Sequence, residues 1–244
     1  SYNEVYYGGN GEQNITTLIE EAVNKSNNDI NFSEYDLDSD GFVDHLIVVH
    51  AGQDDAIDGG GEGSAIWSHR FQITPLGVDG VQVKYYMTLS EFSPMGVFAH
   101  EFGHDLKGAN NQVLPDLYDT SDTPSHEGVG DWDLMASGAW LPSDLGTNPA
   151  HLSAWSKVMK GWLEPTIISN PGQHNILYSS NQSEDYSKVY EIDINSLRYF
   201  LVENRQRRGF DQNLPGNGTL IWHIDNGIFN QEDEEHKMVD LEEA

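Results

Sequence analysis

The pattern His100-Glu101-Phe102-Gly103-His104 constrains this chain more than any other feature of its sequence. The apolar residues before it, Met95 to Ala99, and the glycine that follows Lys107 predict a helix that begins after Pro94 and ends near Lys107. Positions i and i+4 share one face of a helix, so both imidazoles can bind a single zinc ion. Glu101 then lies where a carboxylate can take a proton from an attacking water.

A third protein ligand for zinc must come from outside the helix, because HExxH provides only two. The segment Leu114-Pro115-Asp116-Leu117-Tyr118-Asp119 is the source that we expect. An aspartate that follows proline on a rigid turn presents its oxygen in a fixed position. We therefore interpret Asp116 as the third ligand.

Met135 stands in the segment Asp133-Leu134-Met135-Ala136-Ser137-Gly138, downstream of the helix. A methionine in a loop is more often an ordinary core residue. Its position after HExxH, in a segment flanked by glycines, instead favours a methionine turn, the apolar floor beneath the zinc of metzincin-type enzymes.

A second metal site is indicated by Asp36-Leu37-Asp38-Ser39-Asp40-Gly41-Phe42-Val43-Asp44. Asp36, Asp38, Asp40 and Asp44 occupy positions 1, 3, 5 and 9 of a calcium loop, and Phe42 would provide its carbonyl. Position 12 is Ile47 rather than glutamate, so the loop is not a complete EF-hand. The alternative is an aspartate-rich turn without a cation. We predict at least one structural calcium ion.

The charge balance excludes several kinds of partner. The chain has 40 acidic and 12 basic residues and a formal net charge of -28, which argues against nucleic acid and against an anionic membrane surface. It has no cysteine, so disulfides, thiolate metal sites and cysteine nucleophiles are excluded. No apolar run approaches the roughly 20 residues of a membrane span. The sequence starts without a signal segment and ends without a stop signal, so we expect a piece of a longer precursor.

The hydrophobic patterning predicts an α/β (α+β) fold with a β-rich last part. We expect a catalytic core over 1–162, with an upper lobe to about 107, and a β-rich portion over 163–244 packed on that core. Helices are predicted at 13–26 and 149–160, and strands at 45–51, 81–89, 174–178, 187–193, 198–203 and 219–224. Strand 81–89 could bind an extended substrate by edge pairing.

Several segments together resemble the immune inhibitor A family of secreted bacterial metalloproteases. They are Gly96–Leu106, Leu114–Asp119, Gly130–Gly138, Ala154–Lys157, Gly161–Leu163, Tyr199–Gln206, Leu220–Asp225 and Val239–Ala244. The resemblance runs from about residue 36 to the end of the chain. It implies a zincin- or metzincin-like fold around an HExxH active-site helix. It also implies a secreted zinc endopeptidase made as a precursor, acting on proteins or peptides, and often stabilised by calcium.

One departure from the family concerns the third ligand. The family has an uninterrupted His-Asp-Leu-Gly-Leu-Pro-Asp pattern, whereas here residues 107–113 intervene. A loop insertion costs little if its ends stay close, so Asp116 is kept as the ligand, with Asn110 and Asp119 as alternatives. Tyr118, two residues further on, could polarise the substrate carbonyl with its phenol; packing within the loop is an equal alternative.

These observations predict a zinc-dependent, calcium-stabilised endopeptidase in which Glu101 is the general base. A catalytically silent protease fold that serves as a calcium-dependent binding or adhesion module is the first alternative. The intact Glu101 argues against it, because a degenerate site would be expected to lose its base first. A zinc hydrolase acting on something other than peptides is the second, which HExxH alone permits.

Overall fold

The computed structural model describes residues 12–58, 65–108, 112–143, 145–170 and 188–242. The chain divides into two compact units, an N-terminal unit Ser1–Ser93 and a C-terminal unit Pro94–Ala244. The predicted strand 174–178 lies outside the described residues. The predicted boundary at residue 162 stays a prediction.

The N-terminal unit packs one long helix against a small sheet. Helix α1 (Glu12–Ser26) buries Ile15, Ile19 and Val23, which recur every four residues and so share one face. A 3-10 helix (Phe32–Tyr35), strand β1 (Ile47–His50) and the short helix α2 (Asp55–Asp58) follow. Strands β2 (His69–Val78) and β3 (Val81–Ser90) form an antiparallel hairpin, and β1 runs parallel to β3.

The order of this sheet is β1-β3-β2, so β3 is its central strand. The prediction that strand 81–89 binds substrate by edge pairing is therefore wrong, because β3 is not an edge strand: it pairs with β2 on one side and with β1, over Met87 to Ser90, on the other. Strand β2 was not predicted, since Pro75 and Gly77 interrupt its pattern and most of its side chains are exposed. Its turn has a positive φ at Asp79 (48°) and Gly80 (87°), as two-residue hairpins with the right-handed twist require.

The C-terminal unit contains the HExxH residues on helix α3 (Met95–Asp105). Two 3-10 helices (Gly130–Trp132 and Ser137–Trp140) precede helix α4 (Ala154–Met159). Helix α4 is shorter than the predicted 149–160, because the Ser153 side chain caps its start by accepting a hydrogen bond from the Ser156 amide. A 3-10 helix (Gly209–Asn213) interrupts a run of strands: β4 (Thr166–Ile167), β5 (Tyr190–Asp193), β6 (Arg198–Arg205), β7 (Gly218–Asp225) and β8 (Val239–Leu241).

Strands β4 to β8 form one sheet in sequence order, antiparallel except for the parallel pair β4 and β5. Its inner face buries Leu201, Trp222 and Ile224 completely. These residues belong to the same hydrophobic core as Leu117 and Met135. The sheet therefore supports the segments that follow the HExxH helix. Among the described residues, no helix combines the length and apolarity that crossing a bilayer needs.

Candidate metal centre

Helix α3 lies in direct backbone contact with the segment that carries Met135. A Cβ atom on Gly96 would lie 1.7 Å from the carbonyl oxygen of Ala139, and one on Gly103 would lie 2.6 Å from Sδ of Met135. Only glycine permits the first approach, since Ala139 meets Gly96 with backbone. Met135 is fully buried, so its thioether packs beneath the helix at the level of the HExxH residues.

Three potential ligand atoms converge at this helix. The Nε2 atoms of His100 and His104 are 3.1 Å apart. Oδ1 of Asp116 lies 3.0 Å from His100 Nε2 and 3.3 Å from His104 Nε2. The structure thus brings together the three residues predicted as zinc ligands.

Backbone carbonyls fix the tautomer of both imidazoles. Nδ1 of His100 is 2.9 Å from the carbonyl oxygen of Leu134, and Nδ1 of His104 is 2.7 Å from that of Leu114. A carbonyl oxygen can only accept a hydrogen bond, so each Nδ1 is the donor. In a neutral imidazole the Nε2 atom then has a lone pair, and two such lone pairs face a carboxylate oxygen. Backbone anchors of this kind have no signal in the sequence, because any residue type has a carbonyl.

This donor set fits a zinc ion. Ligands about 2.0–2.1 Å from a tetrahedral zinc are about 3.4 Å from one another, close to the observed 3.0–3.3 Å. The Oδ1 atom of Asp116 is buried and accepts no hydrogen bond of good geometry from the described residues. A buried oxygen facing two imidazole lone pairs is unfavourable unless a cation lies between them.

The carboxylates set the charge of the site. Burial favours the neutral form of Asp116, but the two neighbouring imidazoles outweigh it and hold the pKa of Asp116 well below its usual range. Asp116 is therefore ionised at neutral pH, as a metal ligand must be. Burial disfavours a charged His100, yet Asp116 and Glu101 raise its pKa above the ordinary value. Glu101, itself buried, is thus close enough to act electrostatically on His100.

Tyr118 borders the same three residues. Its ring stacks on that of His100 with centroids 6.3 Å apart. Burial, reinforced by the charges of Asp116 and Glu101, raises the pKa of Tyr118 well above its ordinary value. The phenol therefore keeps its proton and can donate it in a hydrogen bond.

The two alternative ligands differ from Asp116. Asp119 is buried, and its carboxylate accepts hydrogen bonds from the amides of Ser121 (3.0 Å) and Ser125 (2.7 Å). These bonds close its own loop, and Asp119 does not belong to the group that converges on the imidazoles. Asn110 lies outside the described residues.

The predicted calcium loop brings three of its five residues together. Carboxylate oxygens of Asp36, Asp38 and Asp40 lie within 4.8 Å of one another. Asp36 accepts hydrogen bonds from the amides of Asp40 (3.0 Å) and Gly41 (3.1 Å), which folds the loop around its carboxylate. Asp44 instead accepts from the Leu37 amide at 2.8 Å, and Phe42 forms an isolated bridge with Gln82.

Two imidazoles and a carboxylate beside a helical glutamate are the ligand set of a metallopeptidase. Comparison with known proteins agrees. Residues 1–167 match the model of the family described as immune inhibitor A peptidase M6, catalytic domain. The chain belongs to this family.

Two curated relatives show the same kinship. The chain is 34% identical to the pre-pro-metalloprotease PrtV of Vibrio cholerae serotype O1 over 191 residues, covering 64% of this chain and 20% of the relative. It is 35% identical to immune inhibitor A of Bacillus thuringiensis subsp. alesti over 147 residues, covering 52% of this chain and 20% of the relative. The matched region thus spans a fifth of each relative's length.

Proposed function

We propose that this chain is the catalytic part of a secreted zinc endopeptidase that hydrolyses peptide bonds in protein substrates. The convergence of His100 Nε2, His104 Nε2 and Asp116 Oδ1, with both Nδ1 atoms anchored on carbonyls, is the observation that carries the proposal. His100, His104 and Asp116 would hold one zinc ion. When bound, zinc supplies a Lewis acid and lowers the pKa of a coordinated water.

The chain's own residues divide the remaining work. Glu101 takes the proton of the attacking water on its carboxylate and later delivers it to the leaving amine. Tyr118 keeps its proton at neutral pH and can donate a hydrogen bond to the oxygen of the scissile carbonyl as negative charge develops there. Met135 and the glycines of α3 hold the helix against its support, which keeps the ligand atoms in register.

The loop of Asp36, Asp38 and Asp40 would bind a structural calcium ion, because three clustered carboxylates repel one another without a cation. Asp44 and the Phe42 carbonyl remain candidate ligands. We further propose that the protein is secreted and that it has a zincin- or metzincin-like fold. Its catalytic core would cover 1–162, followed by a β-rich portion over 163–244. The name of the Vibrio relative, a pre-pro-metalloprotease, supports an origin in a longer precursor.

The alternative function, a catalytically silent module for calcium-dependent binding, predicts a site without hydrolysis. A buried Glu101 beside an ordered ligand triad argues against it. A zinc hydrolase with non-peptide substrates would share the triad, but the kinship with named metalloproteases favours peptides.

The test is hydrolysis of denatured casein in calcium buffer by the chain and by its Glu101→Gln variant. Each protein is assayed with and without 1,10-phenanthroline, and its zinc content is measured. We expect cleavage by the parent chain only, abolished by the chelator, with one zinc bound by both proteins. Equal cleavage by the variant would refute the role of Glu101. Zinc binding without cleavage of any peptide would favour the silent module.

A further inference from the structure

The Met135 turn is organised by a carboxylate that lies outside the ligand set. Asp133 is fully buried. Its Oδ1 accepts from the Met135 amide at 2.7 Å, and its backbone carbonyl accepts from the Ala136 amide at 3.1 Å. A side chain that accepts from the amide two residues on encloses the residue between them, here Leu134, and fixes its backbone conformation.

The other oxygen of Asp133 anchors this turn to helix α4. Oδ2 accepts from the Ser153 amide at 2.8 Å and from the Ser156 hydroxyl at 2.7 Å. All the donors are buried in the same unit. The turn is therefore tied at one end to α4 and closed at the other by its own backbone.

Two predicted zinc ligands depend on carbonyls of this turn. The Leu134 carbonyl accepts from His100 Nδ1 at 2.9 Å, which sets the orientation of that ring. The Met135 carbonyl accepts from the amide of Leu117 at 2.8 Å, and Leu117 directly follows Asp116. Asp133 therefore stands behind the backbone groups that hold His100 and the residue next to Asp116.

We propose that Asp133 is a positioning residue of the metal centre: it fixes the Leu134 and Met135 carbonyls, and through them His100 and Asp116. The proposal rests on the zinc site proposed above and adds a residue to it. Mutation of groups that orient metal ligands typically costs tenfold to a hundredfold in metal affinity or activity. Asparagine cannot replace Asp133, because its amide group would face N–H and O–H donors with donors of its own.

Two serines at the start of α4 offer a matched pair of variants. Both are fully buried and each loses one hydroxyl on replacement by alanine. Ser156→Ala removes a donor to Asp133. Ser153→Ala removes the helix cap, which accepts from the Ser156 amide, and a long bond of 3.3 Å to the Ser156 hydroxyl. It keeps the Ser153 amide bond to Asp133 and the Ser156 hydroxyl that donates to Asp133.

The experiment measures the zinc dissociation constant by competition with a chromophoric chelator, for the parent chain, Asp133→Asn and both serine variants. The visible spectrum of the cobalt-substituted proteins reports ligand geometry, and thermal unfolding monitors the fold. We expect Asp133→Asn to raise the dissociation constant about tenfold or more and to alter the cobalt spectrum. Ser156→Ala should raise it less. Ser153→Ala should lower the unfolding midpoint while its dissociation constant and spectrum stay as in the parent.

A parent-like dissociation constant and cobalt spectrum in Asp133→Asn would overturn the positioning role, as would equal effects of the two serine variants on zinc affinity. If Asp133→Asn fails to fold, the serine pair decides the question alone. A parent chain that binds no zinc would instead refute the zinc site itself. The two failures are therefore distinguishable.

Discussion

Replacing Gly96 by alanine should disrupt the metal centre without touching any ligand. The added Cβ would lie 1.7 Å from the Ala139 carbonyl oxygen, 2.8 Å from its carbon and 3.1 Å from the Gly146 carbonyl oxygen. A carbon and a carbonyl oxygen stay about 3.3 Å apart, so the helix and residue 139 must separate by about 1.6 Å. All three neighbours are backbone atoms and cannot rotate away.

The expected loss in the free energy of unfolding follows from two opposing effects. Overpacking costs about 1–3 kcal/mol, and a rigid neighbour places this site at the upper end. Alanine offsets up to about 1 kcal/mol of this overpacking cost, because it loses less conformational entropy than glycine when the helix forms. The net loss of about 2 kcal/mol lowers the ratio of folded to unfolded protein about thirtyfold. His100 lies one turn beyond Gly96, and ligand distances must hold to about 0.2 Å, so zinc binding should also fall.

Urea unfolding followed by circular dichroism, together with zinc content after dialysis, provides the assay. Gly103→Ala is the matched control on the same helix. Its Cβ would meet Sδ of Met135 at 2.6 Å, but this atom is near the end of a flexible side chain that can turn aside. We expect a clearly smaller loss there. A Gly96→Ala protein as stable as the parent, with full zinc content, would show that α3 does not contact residue 139 as described.

Three further predictions concern other parts of the chain. Amide hydrogen bonds from Ser125 and Ser121 lower the pKa of Asp119 to about 2 in the folded protein, against about 3.9 in the unfolded chain. The ionised carboxylate therefore stabilises the folded state fully above about pH 4, and this stabilisation is lost as the pH falls towards 2. Urea unfolding should accordingly show that Asp119→Asn lowers the free energy of unfolding more at pH 6 than at pH 2. A loss of stability that does not depend on pH would contradict this. Calcium should raise the thermal unfolding midpoint of the parent more than that of Asp38→Asn, because at equal calcium concentration the tighter site stabilises the folded state more. Equal shifts would count against the loop. A chain cut after residue 167 should fail to give cooperative unfolding by circular dichroism, and a cooperative transition at the parental midpoint would refute this.

The sequence predicts the candidate metal ligands more completely than the groups that position them. HExxH spacing and the Pro-Asp turn pointed to His100, His104 and Asp116 because metal chemistry restricts the residue types and spacings that it can use. The carbonyls of Leu134 and Leu114 could not be predicted, since a backbone group leaves no trace in residue type. Asp133 was visible only as part of a methionine-turn pattern, because its partners Ser153 and Ser156 lie about twenty residues away.

The helices and strands divide in the same way into those that their own residue pattern predicts and those that distant partners decide. Helices α1 and α3 and strand β3 have periodic apolar residues and lie where the pattern indicated. Strand β2 has few buried side chains, so its position is decided by pairing with β3 rather than by its own sequence. The place of β3 at the centre of the sheet, which overturned the edge-pairing prediction, depends on β2 and β1 together.

The hydrophobic core beside the candidate metal centre extends beyond the family match, which ends at residue 167. Leu117, next to the predicted ligand Asp116, is fully buried in a core that also contains Leu201, Trp222 and Val239. Its carbonyl accepts from the Val129 amide at 2.9 Å and lies 3.5 Å from Nε2 of Gln231, whose side chain pairs with both backbone groups of Val239. Removing the sheet would expose this core to water and release the turn that presents Asp116. Asp116, the predicted third ligand, therefore precedes a residue whose core is completed by strands β6 to β8. We expect these strands to support the proposed metal centre as helix α3 does.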